Sequence, residues 1–227
     1  MHKRCIYPVQ TVSIPILPKD YSMSLPLKSA PPPLSALLKE TSTGHHEGLD
    51  KRIMSLAPFS SRERYALFLR TMARLHRVTT RWFQHHTLKT WLPGLDERDR
   101  VNAVLQDCTD LGVSREDQAE DALIAARMVV DNPYTALGWA YTIEGSNMGA
   151  AFLLKMARAE LGLSETFGAR HMAGHDDGRG LHWRRFREAL DAIPLTEEQR
   201  ELAQQGALDA FNFARKSVDD LMADSGQ

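Results

Sequence analysis

Gly138-Trp139-Ala140-Tyr141-Thr142-Ile143-Glu144-Gly145-Ser146-Asn147-Met148-Gly149-Ala150-Ala151-Phe152 is the stretch on which the fold reading turns. Asn132-Pro133 precedes it, a cap residue followed by proline at the first helical position, and Gly162 follows it as a stop. Between them the pattern predicts one helix ending at Leu161, about 29 residues and ~43 Å long. Gly145 and Gly149 are four apart and share a face. Gly138 lies on the same stripe, with Thr142 between. Each glycine inside a helix costs roughly 1 kcal/mol relative to alanine, so something must offset three of them. Two readings stand at this point. A second helix crosses closely over the stripe, or a flat ligand lies against bare backbone. Glycines also ease bending, which would let such a helix open and close over a ligand.

Outward from this stretch the periodicity stays helical. A first helix is expected over Ser35–Ala57, with Leu38, His46, Leu49 and Ile53 on one face. Ser60 and Glu63 form a capping-box pattern before a helix carrying Tyr65, Phe68, Leu69, Met72, His76 and Trp82 or Phe83. Leu92-Pro93-Gly94 reads as a break. A third helix buries Val101, Val104, Leu105 and Cys108 and stops at Gly112. Ser114 caps a fourth over 115–130. After the long helix comes a glycine-rich loop, then a helix over Leu181–Leu190. Thr196 and Gln199 open a last one running to Leu221. No alternating strand pattern and no internal repeat is present. The expected fold is all-α, a single-domain helical bundle over 34–222. A flexible proline-rich extension over 1–33 precedes it, with Met23 as an alternative start, and a short tail over 223–227 follows.

Composition narrows the function classes. With 28 basic and 29 acidic residues the net charge is −1, so nothing draws the whole chain to nucleic acid or an anionic membrane. No run approaches the ~20 apolar residues of a membrane span. The basic start Met-His-Lys-Arg lacks the apolar stretch of a signal peptide, so a cytoplasmic protein is expected. Cys5 and Cys108 are the only cysteines; no disulfide and no structural zinc site is expected.

Adjacent histidines His45 and His46 point about 100° apart on a helix, and periodicity does not choose between them. Leu38-Lys39-Glu40-Thr41, followed by His46, Leu49 and Asp50, resembles the first-helix pattern of the haem oxygenases, with His46 in the place of the proximal ligand. Glu144-Gly145-Ser146-Asn147-Met148-Gly149-Ala150-Ala151-Phe152-Leu153 is similar to the distal helix of the bacterial members. Phe167-Gly168-Ala169-Arg170-His171 and Asp209-Ala210-Phe211-Asn212 extend the likeness, which covers about residues 35–222.

The resemblance implies a haem-oxygenase-like bundle that uses haem b as both cofactor and substrate. It implies iron bound by His46, O₂ beneath the backbone of Gly145 and Gly149, and products biliverdin, Fe²⁺ and CO. Electrons would come from an external donor of ferredoxin or flavodoxin type and its reductase. A monomer is the default. Lys39 and Arg187 match family contacts to the haem propionates, and Phe211 falls among the haem-binding positions. Ser146 stands where mammalian-type members carry an aspartate that orders the distal water. A hydroxyl holds water but is no carboxylate, so a non-catalytic haem-sequestering protein is the alternative. Arg70, Arg74, Arg77 and Arg81 form a stripe that reads either as a solvated basic face or as a dock for an acidic electron donor. His85, His86, His171, His175 and His182 read as surface residues.

Overall fold

The structure is a computed structural model and describes residues 31–223. Residues 1–30 and 224–227 hold Met23, Cys5, most of the expected extension and most of the expected tail, which therefore lie outside the described residues. Pro33, at ψ 142°, opens α1 (Leu34–Ser55). There follow α2 (Arg62–Phe83), α3 (His86–Trp91), α4 (Val101–Asp110), α5 (Arg115–Ala126), α6 (Pro133–Leu161), α7 (Arg179–Asp191) and α8 (Glu197–Val218). Short 3₁₀ turns lie at Asp96–Arg98 and Arg170–Met172, and a π turn at Asp219–Ala223 closes the described chain. No strand occurs among the described residues, so the all-α expectation holds.

Local chemistry explains most boundaries. The Asn132 side chain accepts from the Thr135 amide at 2.8 Å, and Gly162 ends α6 in the left-handed region at φ 66°. Thr196 and Gln199 form the reciprocal capping box that opens α8. The cap of α2 is Ser61 rather than Ser60. The Ser60 amide and hydroxyl both bond Ala57 O in the turn leaving α1, so Ser61 is the first free hydroxyl and accepts from Arg64 N. The expected break at Leu92-Pro93-Gly94 falls between α3 and the first 3₁₀ turn, and Leu88, Leu92 and Leu95 around it reach the core. Helix α5 stops four residues short of the expected end, and α7 begins two earlier than expected.

The most extensive packing is between α6 and α8, and α1 also lies on α8. A Cβ on Gly138 would stand 2.0 Å from Ala203 O, and one on Gly206 2.0 Å from Thr135 O. Here the two backbones touch, which no larger residue permits. Trp139, Leu137, Ile143, Ala203 and Ala207 are fully buried around the crossing.

The arginine stripe on α2 divides: its first two members are buried, Arg77 is half-buried and Arg81 is exposed. Arg70 and Arg74 are 9% and 2% exposed. Arg70 pairs with Asp117, Glu120 and Asp121, Arg74 with Asp121, and Arg81 donates to Val130 O. The acidic face of α5 lies directly on the stripe, so these charges hold α5 to α2.

Candidate active site

Helices α1, α2, α6, α7 and α8 enclose one cavity of about 1060 Å³. Its size sits at the upper end for ligand pockets, and its lining is mainly apolar with a few polar groups, as such sites are. Lys39, His46, Gly145, Ser146, Gly149, Arg187 and Phe211 all line it; His45 does not. Only Leu34, Ser35, Leu38 and Ser42 of α1 are buried. The rest of that helix turns toward the cavity or to solvent, so polar ties hold it. Asp191 of α7 accepts from Ser35 N and Oγ at 2.7 and 2.8 Å, Thr41 bonds Gln204 of α8, and Arg52 pairs with Asp219 at 2.7 Å.

The His46 ring meets the Phe211 ring edge-on at 5.9 Å between centroids. Its Nδ1 lies 3.3 Å from Asp50 Oδ2, one turn later. A carboxylate at Nδ1 favours the tautomer with the proton there, which leaves the Nε2 lone pair for a metal. The His46 side chain is 57% exposed, open to the cavity mouth.

On α6 the glycine stripe divides. Gly138 is spent on the α8 crossing. A Cβ on Gly149 would meet nothing within 4 Å, and one on Gly145 only the tip of Trp183 at 3.7 Å. Those two positions present bare backbone to the cavity. The Ser146 hydroxyl donates to Ile143 O at 2.7 Å, which commits its proton to the helix and leaves its lone pairs to accept.

Polar groups that the sequence reading passed over complete the cavity. His76 of α2 is 3% exposed, and burial, with His171 and Arg100 nearby, pushes its pKa down to about 3. It is therefore a neutral imidazole at working pH. His171 is not a surface residue. It is 4% exposed, and Asp107 accepts from its backbone N at 3.0 Å and holds its Nδ1 at 2.8 Å. Tyr141 lies one turn before Gly145 and borders the mouth with Arg187; burial raises its pKa. Its place four residues from Gly145 was a readable signal. Arg187 is exposed and stacks over Trp183 at 5.8 Å. His85 and His86 are exposed as expected, whereas His175 and His182 are half-buried and stack on each other at 3.9 Å. Cys108 is a buried free thiol raised to about 12 by burial, chemically inert.

These residues fit a haem. An imidazole with a free Nε2 projects into the cavity, backbone without side chains forms another wall, and Lys39 and Arg187 stand at the rim where propionates would emerge.

The family description Heme oxygenase matches residues 32–220. Heme oxygenase PigA of Pseudomonas aeruginosa is 38% identical over 167 residues, covering 74% of this chain and 82% of that protein. The NO- and CO-bound heme oxygenase structures from Neisseria meningitidis align with a TM-score of 0.73 at 35% identity, over 86% of this chain and 94% of that one. Heme oxygenase-1 from Synechocystis sp. PCC6803, solved in complex with heme, aligns with a TM-score of 0.65 at 17% identity, over 85% and 93% respectively. At that identity the likeness speaks for the fold alone.

Proposed function

This chain belongs to the heme oxygenase family, and from that premise we propose how its own residues divide the work. The enzyme opens haem oxidatively, with O₂ and reductant, to biliverdin, Fe²⁺ and CO, and haem is both its substrate and its prosthetic group. One observation carries the assignment of the site: Gly145 and Gly149 leave open backbone in the same cavity as an imidazole whose Nδ1 faces a carboxylate.

Bound haem supplies an iron that activates O₂ and a ring carbon that is attacked. His46 would hold the iron through Nε2, with Asp50 steering its imidazole and Phe211 bracing it. As a neutral ligand, His46 would push less electron density onto the iron than a thiolate does. Bare backbone at Gly145 and Gly149 would let α6 lie close over a bound haem as a roof. Ser146 accepts hydrogen bonds there. His76 is neutral, so it accepts a hydrogen bond at one nitrogen while donating at the other. His171, anchored by Asp107, lies beside it. Lys39, Arg187 and the Tyr141 hydroxyl receive the propionates at the mouth.

Electrons come from an external donor of ferredoxin or flavodoxin type with its reductase. Arg70 and Arg74 of α2 are consumed by α5 and offer it no dock. The same proposal takes 34–222 as the catalytic domain of a monomeric cytoplasmic enzyme. No helix among the described residues is long and apolar enough to cross a membrane.

Hemin titration should give a Soret band, and ascorbate in air should then bleach it with release of biliverdin. A persistent band without bilin would mean haem sequestration instead. His46→Ala should lower coupled turnover by about a hundredfold or more. The same loss in His45→Ala, with His46→Ala active, would move the ligand by one residue.

A further inference from the structure

Gly145 and Gly149 give the roof no side chains toward the cavity, so contacts on its outer side bear on its height there. Two arginines reach it there. Glu144, buried beside Gly145, pairs with Arg98, whose guanidinium also donates to His182 O at 3.1 Å. Arg179 Nη1 donates to Asn147 O at 2.9 Å, and its Nη2 donates to Met172 O. Asn147 lies midway between the two glycines. Met172 follows His171, and both border the cavity. A single guanidinium thus ties the roof to the segment that carries a buried imidazole of the same site. Its fixed fork suits two carbonyls at once, which an ammonium does not reproduce. Gly178, at φ 81°, turns the chain immediately before Arg179 and delivers it as the first residue of α7.

We propose that Arg179 is a positioning residue for haem oxygenation: by gripping the Asn147 carbonyl it fixes the distance between the Gly145–Gly149 roof and the ring. The inference rests on haem being the ligand of this cavity. Arg98 anchors the start of the same turn through Glu144. Arg179 controls its middle, where no Cβ at 145 or 149 resists movement.

The test uses the full chain with Arg179→Ala and Arg179→Lys, first without haem. Hydrogen exchange of amides 145–151 should quicken by about tenfold or more in Arg179→Ala. Amides 136–141, clamped by α8, should not change. With haem bound, hemin affinity should stay within about threefold of the parent. The kcat for biliverdin should fall about tenfold at nearly constant KM, with more hydrogen peroxide released. The infrared C–O stretch of the reduced CO complex should broaden. Arg179→Lys should fall between the two, since it keeps the charge and loses the fork. Unchanged exchange at 145–151 with unchanged coupling overturns the proposal. So does exchange quickened evenly along α6, which marks general loosening. Absence of a Soret band in the parent protein defeats the haem reading instead, while the exchange comparison still decides whether Arg179 holds the roof.

Discussion

The two halves of α6 carry the same residue on the same stripe and use it oppositely. At Gly138 the missing Cβ admits the backbone of α8, with Ala203 O at 2.0 Å from where that carbon would stand. At Gly149 the missing Cβ admits no protein atom within 4 Å. Glycine in the first half makes a tight helix crossing; in the second it keeps a ligand wall bare. The penalty against helix formation is similar at both positions. In the first half, close packing around Trp139 and Ile143 offsets it. In the second half Ala150 and Leu154 pack on the other face, and Arg98 and Arg179 grip the outer side, but nothing packs against Gly149 itself.

The contrast yields graded tests. Among the substitutions the largest effect belongs to Gly138→Ala, whose added carbon collides with the α8 backbone at Ala203 O and Ala207 N and should destabilise the fold by roughly 3 kcal/mol. A denaturant midpoint close to the parent's would dissolve the distinction between the halves. The cavity's acid sensitivity is set by pH rather than by substitution. The folded-state pKa of His76 lies near 3, below its ordinary 6.5, so on unfolding in acid it takes up a proton that the folded chain excludes. Its contribution is full above about pH 6.5 and is lost as pH falls toward 3, by up to ~1.4 kcal/mol per pH unit. Urea melts across that window should show the loss, and His76→Leu should flatten it. The smallest effect has the opposite sign from the first. Gly149→Ala should stabilise the haem-free protein by up to ~1 kcal/mol. The same substitution should weaken hemin binding or its coupled conversion to biliverdin. Destabilisation at Gly149 would mean that another part of the chain covers that face.

Much of the bundle was legible because its signals are short-ranged. The Asn132-Pro133 entry, the Gly162 stop and the Thr196 capping box all act within four or five residues, and each appears as read. Ser60 misled because the turn consumed its hydroxyl one residue before the helix began. The site was legible in part. His46 was separated from His45 by family likeness, not by periodicity, and the cavity lies on the His46 side. Arg70 and Arg74 of the arginine stripe misled because α5 supplies their partners from about fifty residues away. His171 misled because Asp107, 64 residues distant, buries and binds it.

By itself the sequence determined where helices start and stop, and that three glycines on one helix required an unusual neighbour. A helix's hydrogen bonds and caps reach only a turn along the chain, so local residues suffice to specify them. Tertiary structure alone decided which glycine meets a helix and which meets an open cavity, which arginines are spent on carboxylates, and which histidines stay neutral. Burial and charge pairing depend on atoms that arrive from distant helices, and a residue with no side chain takes its role from whatever comes to lie against it.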